Sequence, residues 1–422
     1  MYRLEWLEQL KLRNAKRPRA GQVKQVHPVV WKLGGTSFLT DISAEMVNSA
    51  LPGYLVLYLH LSPLQYGTID GIYNGLSVAL LSLAAGVLAD RSQRPKSIAV
   101  FGYGLSAVCK LLLLAVGGAW GWILGIVWLD RTGKGIRTAP RDAIISLNTA
   151  PPLLATSFAV HRALDAGGSL LGPLVAFALL WRFPTGYNAV WVTSFAFAVL
   201  GLAVLWVFVA NPKRTTDSRG NSISLKISLW DTARVLFRGR FRVLAACALL
   251  LSTVTISDGF IYLLLREKAG TGAAFFPLFY VVTACFYMLF SIPAGLSADR
   301  YGRLPVLLAG YSVLGCLYLL LLLVPGLDIW SVGICLALFG VFYAATEGVL
   351  TAMASALVPP EIRTSGIAIL ATLVGVGKMI SSVLFGWMWE SYGAPTSVLT
   401  FCITLVVAAS IAAFWLKGAR ND

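Results

Sequence analysis

Six charged side chains fall within thirteen residues of an otherwise apolar stretch: Asp130, Arg131, Lys134, Arg137, Arg141 and Asp142, in the run DRTGKGIRTAPRD. At about 100° per residue on a helix, Asp130, Lys134, Arg137 and Arg141 lie within an arc of roughly 60°, and Arg131 and Asp142 project onto a neighbouring face. The chemistry open to such a stripe is ion pairing and anion binding, since Arg holds a carboxylate through two parallel hydrogen bonds. The apolar run before it, 120–129, is too short to cross a bilayer unaided. A spanning helix here carries charge into the membrane, where it is costly unless it faces a bundle interior or a wet cavity.

Carboxylates on other segments could act with this stripe. Asp41 and Glu45 stand one helical turn apart on one face, which Asn48 extends. Asp165 follows His161 and Arg162 near the start of the fifth apolar segment, Asp258 lies in the seventh and Glu347 in the tenth. A carboxylate in low dielectric holds its proton more tightly and a nearby cation reverses that, so an acid that switches between the two environments carries a proton. The plainer alternative is an acid that stays protonated or paired and ties helices together. His161 either titrates near neutrality or is a satisfied interfacial residue, and Lys110 and Lys378 either snorkel or pair.

The elements that must position these groups are long apolar segments. The 422 residues are 57% hydrophobic and 13% charged, which does not describe a soluble globular protein. Twelve segments span approximately 33–60, 66–88, 97–118, 120–147, 154–181, 188–209, 243–265, 274–297, 305–325, 329–357, 366–389 and 396–416. Each crosses about 30 Å of hydrocarbon as a helix, and the period-2 alternation of a membrane barrel is absent. The expected fold class is therefore an all-α polytopic membrane protein with twelve transmembrane helices. The net charge of +15 is distributed asymmetrically. With the N-terminus inside, about 23 Lys and Arg fall on the cytoplasmic side and about three outside. Both termini are thus expected in the cytoplasm, with basic loops that contact anionic lipid rather than nucleic acid.

The expected domains are a basic tail at 1–27, a six-helix bundle at 28–209, a basic linker at 210–242, a second bundle at 243–416 and a short tail at 417–422. The N-terminal tail lacks the apolar core of a cleaved signal peptide and is either an interfacial helix or a solvated arm. The six cysteines form no CxxC and no metal-like cluster, so they are expected to pack. No GxxxxGK[ST], HExxH or GxSxG run is present, so neither ATP use nor hydrolytic catalysis is expected, and no cofactor.

The two bundles read as repeats. GVLADRSQR (residues 86–94) recurs as GLSADRYGR (295–303), an offset of 209, and Pro151-Pro152 recurs as Pro359-Pro360, an offset of 208. Two landmarks in register argue for a duplicated six-helix unit. In these residues, together with the helix count and the central basic linker, the chain resembles the major facilitator superfamily, whose signature is this loop after its second helix. The first copy departs from the pattern with Gln93 in place of Gly. The resemblance implies two pseudo-symmetric six-helix bundles around a central cavity, working by alternating access. It also implies a cytoplasmic gate formed by Asp90, Arg91 and Arg94 with Asp299, Arg300 and Arg303. Arg131-Thr132-Gly133-Lys134-Gly135 resembles the family's helix-4 signature, with Lys in place of the usual Gln, and Arg131 then matches the arginine implicated in proton coupling. Gly168, Gly172 and Pro173 match the GxxxGP element of family antiporters, or else form a small-residue packing face with a proline kink.

Shifting the fourth segment by 208 sets Phe339, Phe342, Ala345 and Val349 opposite Arg131, Lys134, Arg137 and Arg141, so the cationic stripe has no duplicate. The expectation is a monomeric secondary active transporter of the inner membrane that moves a small anionic or carboxylate-bearing solute, coupled to protons. Arg131, Lys134, Arg137 and Arg141 would line its cavity, and Asp41, Glu45, Asp165, Asp258 and Glu347 would carry protons. The alternatives are a drug or metabolite exporter, a metal or metal-chelate transporter, and a membrane receptor that moves nothing.

Overall fold

Proline, hydropathy and glycine set where the helices begin, run and cross. The computed structural model describes residues 25–75, 94–150, 153–210, 239–358 and 363–421, and every regular element among them is helical. The first half contains α1 (Pro28–Pro52, continuing as a wider π turn, Gly53–Tyr58), α2 (Pro63–Gly75), α3 (Pro95–Ala115), α4 (Trp120–Leu147), α5 (Leu154–Arg182) and α6 (Tyr187–Phe208). The second contains α7 (Arg240–Thr253), α8 (Asp258–Ala269), α9 (Phe276–Tyr301), α10 (Arg303–Leu323), α11 (Ile329–Leu357), α12 (Arg363–Tyr392) and α13 (Ala394–Asn421). Proline opens α1, α2 and α3, where its missing N–H lacks a helical partner in any case.

Nine helical runs among the described residues are long and apolar enough to cross a membrane, with α7 and α8 counted as one. The charged and hydroxyl side chains of α1 and α4 lower their hydropathy below that of the nine, and the described part of the second segment stops at Gly75. With these three, the pattern fits the expected twelve. Large apolar side chains such as Trp122, Trp206, Ile292 and Trp330 point outward and are exposed, as a lipid-facing surface requires.

Within the first half α1 packs along α5 and α6, and α3 crosses α4 and α6. Within the second, α9 and α10 pack on α11, and α7 packs on α12 and α13. Equivalent crossings recur at the predicted offset. A Cβ on Gly102 would stand 3.1 Å from the Arg137 Cβ, and one on Gly310 would stand 2.9 Å from the Ala345 Cβ; both positions are 208 apart. The same backbone approach is thus used twice, once beside an arginine and once beside an alanine.

The halves meet where α2 lies along α12 and α5 along α9. On α2, added Cβ atoms would come within 2.3 Å of the Ser382 carbonyl oxygen at Gly67 and 2.6 Å of the Gly375 oxygen at Gly75. At the end of this seam Glu390 Oε2 accepts hydrogen bonds from Ser62 Oγ (2.7 Å) and Leu64 N (3.1 Å). Tyr66, Phe260 and Phe385 stack edge to face beside it, with centroids 4.8 and 4.9 Å apart. One end of the interface between halves is thereby sealed by backbone contact, a hydrogen-bonded carboxyl cap and rings.

The seventh segment is two helices rather than one. It breaks at 254–257, and the freed backbone is satisfied from neighbouring helices: Tyr318 Oη accepts from Ile256 N (2.7 Å) and Ser381 Oγ donates to the Thr255 carbonyl (2.6 Å). Irregular backbone at this depth survives only with such partners or beside a wet cavity. Between α9 and α10 the turn collapses to Gly302 at φ +97°, a conformation that side-chain-bearing residues rarely adopt. Gly295 to Arg303 therefore forms a sharp corner, and its counterpart at Gln93 lies outside the described residues.

In α5, Gly168 and Gly172 face the α1 backbone, and Cβ atoms there would meet the Phe38 and Ile42 carbonyl oxygens at 2.3 and 2.7 Å. The arrangement is a small-residue packing face. Gly168→Val is expected to destabilise the protein by about 1–3 kcal/mol through overpacking, read as a lowered midpoint in thermal unfolding of the detergent-solubilised protein; an unchanged midpoint would show that the two helices can separate freely.

Candidate functional site

The charges of α4 are buried and paired. Gly102 and Gly133 let α3 and α4 approach so closely that Lys110 reaches Asp130, with which it makes a short ion pair. The other Asp130 oxygen accepts from Arg131 Nη2 at 2.7 Å, and the Arg131 guanidinium lies 3.7 Å from the centre of the Tyr73 ring on α2. Asp130, Arg131 and Lys110 are each 6% exposed or less. This cluster joins three helices, which is what charges in a low-dielectric interior must do to survive.

About two and three turns further along α4 the pairing passes to α1 and α5. Arg137 Nη2 lies 3.8 Å from Asp41 Oδ1, with its guanidinium 4.4 Å from the Tyr103 ring centre. Arg141 reaches Asp142 (3.0 Å) and Asp165 (3.7 Å) and donates to Ser37 Oγ at 3.2 Å, and that hydroxyl is also 3.1 Å from His161 Nε2. Lys134 is half-buried and forms no ion pair among the described residues, although it acts electrostatically on both Asp41 and Asp165. The structure thus brings Arg137, Arg141, Asp41 and Asp165 into one network. Glu45 stands apart from it and accepts a 2.8 Å hydrogen bond from Asn48 Nδ2. The space beside this stripe is narrow, about 10 Å³, room for one water at most.

The roomy cavity lies elsewhere. It measures about 350 Å³, and Asn74, Thr255, Tyr311, Phe342, Tyr343, Glu347, Lys378 and the apolar faces of α11 and α12 line it. Glu347 is exposed to this space and Lys378 half-buried in it. The Lys378 ammonium sits 5.2 Å from the Tyr343 ring centre, and neither residue forms an ion pair among the described residues. Asp258, at the first position of α8, lies in an adjoining recess of about 40 Å³ bounded by the broken seventh segment, and the Tyr343 hydroxyl donates to it.

A further acid joins the halves. Asp70 on α2 accepts from Ser382 Oγ on α12 at 2.6 Å, from Asn74 Nδ2 at 3.0 Å and from Tyr66 Oη at 3.3 Å. Asp70 is not among the acids that the sequence singles out, yet Gly67, Gly71 and Gly75 surround it at four-residue spacing, a stripe that marks a helix lying against another. Of the two lysines whose role the sequence leaves open, Lys110 pairs and Lys378 faces the cavity.

Of the expected gate residues, Asp90 and Arg91 lie outside the described residues. Arg94 begins the approach to α3 and is engaged with neighbours. Arg303 Nη1 donates to the Ala352 carbonyl of α11 at 2.9 Å, Asp299 lines a groove of about 230 Å³ with it, and Arg300 lies 5.2 Å from the Tyr301 ring centre.

Because Asp130 serves two cations, its loss should cost more than the loss of either partner. Asp130→Asn is expected to destabilise by about 3–5 kcal/mol, leaving two buried cations uncompensated. Lys110→Met should cost less, since Asp130 keeps Arg131. Comparing the thermal midpoints of the two variants checks the order.

Comparisons with known proteins agree with this architecture. The model of the Major Facilitator Superfamily matches residues 33–286 and 255–421. An uncharacterized MFS-type transporter of Methanocaldococcus jannaschii is 28% identical over 90% of this chain and 94% of its own. An uncharacterized protein of Mycobacterium tuberculosis is 26% identical over 92% of each. Among solved structures, the nucleoside transporter NupG superposes with a TM-score of 0.77 at 15% identity, covering 93% of this chain and 100% of that one. A bacterial homolog of the human lysosomal transporter Spinster, inward-facing and unoccupied, gives 0.74 at 15% identity over 95% and 98%. At such identities the likeness is one of fold. The family match spans nearly the whole described chain, so this multi-pass membrane protein belongs to the Major Facilitator Superfamily and is a transporter of that type, not an enzyme.

Proposed function

We propose that the chain is a proton-coupled secondary active transporter that moves a small carboxylate-bearing solute across the inner membrane by alternating access. The observation that supports this reading is a division of charge. Every ion pair found among the described residues lies in the first half, in the Asp130 cluster or the Asp41–Arg137–Arg141–Asp165 network, whereas Lys378 faces the 350 Å³ cavity and forms no ion pair among the described residues. A cation held in that way is a site for an anionic group. With both termini cytoplasmic, the seam sealed by α2 and α12 lies on the outer side, and the cavity belongs to the state closed to the outside.

In this reading Asp41 and Asp165 exchange a proton as they gain or lose Arg137 and Arg141, since a cation favours the charged carboxylate and burial alone the neutral one. Lys134 tunes both. Glu45 is the acid nearest to taking over that task, being half-buried and held by Asn48. Arg131 is fixed by Asp130 and Tyr73 and couples α4 to α2. Asp90, Arg91 and Arg94 with Asp299, Arg300 and Arg303 form the gate at the cytoplasmic end, where the corner at Gly302 holds Arg303 to α11.

In proteoliposomes, Lys378→Gln is expected to lower flux at least about tenfold through loss of a charge-assisted contact to the solute, with an unchanged thermal midpoint. Full flux would remove the ammonium from the solute site. Asp41→Asn is expected to keep solute exchange across equal concentrations and to abolish accumulation driven by a pH gradient; accumulation at the normal level would remove Asp41 from the coupling path.

A further inference from the structure

The cavity offers two opposite charges rather than one. Glu347 and Tyr343 sit four residues apart on α11, and hence about one turn, roughly 6 Å, along the helix. Lys378 approaches the same Tyr343 ring from α12 with its ammonium 5.2 Å from the ring centre. Glu347 and Lys378 therefore border one space without closing on each other in an ion pair. The carboxylates nearby all have hydroxyl or amide partners: Asp258 takes the Tyr343 hydroxyl in a recess that Lys378 also lines, Asp70 takes Ser382, Asn74 and Tyr66, and Glu347 has the Tyr287 hydroxyl beside it. Between the charges the wall is apolar, formed by Phe342, Leu350, Leu370 and Val374.

Each single-charge solute fits this space badly. An anion answers Lys378 but meets Glu347, and a cation does the reverse; either leaves a like charge close by in a region of low dielectric once the cavity closes. A solute with both an ammonium and a carboxylate answers both groups and adds no net charge to the interior. The apolar wall gives its remaining body a place, and about 350 Å³ is room for a compact molecule.

We infer that the substrate is a zwitterionic amino-carboxylate with an apolar body, its carboxylate on Lys378 and its ammonium on Glu347. This rests on the proposed solute transport and deepens it, and it assigns Glu347 to substrate recognition rather than to proton carriage. Specificity is then set by Glu347, because Lys378 alone would accept any carboxylate.

The test uses the full-length purified protein and three parallel series of compounds. Free L-leucine, L-phenylalanine and the dipeptide leucyl-phenylalanine are compared with their N-acetyl forms, which lack the ammonium, and their C-terminal amides, which lack the carboxylate. Binding is read as a thermal shift and as competition in counterflow. At least one free zwitterion is expected to bind the native protein about tenfold or more tightly than both of its derivatives. In Glu347→Gln the preference over the N-acetyl form should vanish while the preference over the amide remains; in Lys378→Gln the reverse should hold. Because the compound series on the native protein stands alone, a variant that fails to fold does not remove the test. N-acetyl forms that bind as tightly as the free compounds, or no binding by any zwitterion of the panel, would overturn the inference. If the N-acetyl forms also accumulate under a pH gradient, carboxylate transport stands and only the ammonium contact falls. If no compound moves under any gradient, the proposed transport reading fails as well.

Discussion

The constraint on which the first half depends is the cost of charge in hydrocarbon. α4 carries six ionisable side chains through the membrane, and each must find a partner or a polar space before the helices can settle. Asp130 meets this by taking Lys110 from α3 and Arg131 from its own helix, while Arg137 and Arg141 turn to Asp41 on α1 and Asp165 on α5. These pairs set the rotation of α1, α3, α4 and α5 about their axes. The glycines follow from the same demand, because Gly102 and Gly133 must be small for α3 and α4 to bring Lys110 within reach of Asp130.

The second half solves the same backbone arrangement with other side chains. Positions 339, 342 and 345, where the duplicate of Arg131, Lys134 and Arg137 would stand, hold Phe339, Phe342 and Ala345. The two rings stack at 6.0 Å and pack against Tyr262, Tyr311 and Tyr343. An aromatic cluster needs no electrostatic partner, so the acids and the lysine of this half are released from structural pairing. Glu347 and Lys378 can then face a cavity, while the broken seventh segment lends that cavity polar backbone and the Asp258 recess. Duplication thus fixes the geometry of the crossings, and the side chains divide the work: a paired ionic network on one side and an open, charged pocket on the other.

Between the halves, α2 and α12 approach so closely that glycine is needed along the seam, and the acid within it, Asp70, is satisfied by Ser382 from across the interface. The contact is made of small residues and hydrogen bonds, with the buried rings of Tyr66, Phe260 and Phe385 at one end.

Much was legible in the sequence by itself. The apolar segments, the duplication at an offset of 208 and 209, the family and the concentration of charge in the DRTGKGIRTAPRD stripe follow from hydropathy, charge and repeated motifs, which are local or depend only on spacing. What the sequence could not decide is which charges are spent. Arg131, Arg137 and Arg141 looked like cavity residues because a helical wheel shows a shared face but not the neighbour that covers it. Only the packing of α1, α3 and α5 turns that face inward to Asp41, Asp130 and Asp165. Conversely, Lys378 and Asn74 look ordinary in sequence and acquire meaning only because α2, α11 and α12 meet around one space. Pairing and exposure depend on the rotation of one helix against another, and that rotation is set jointly by residues far apart in the chain, so it belongs to the tertiary structure alone.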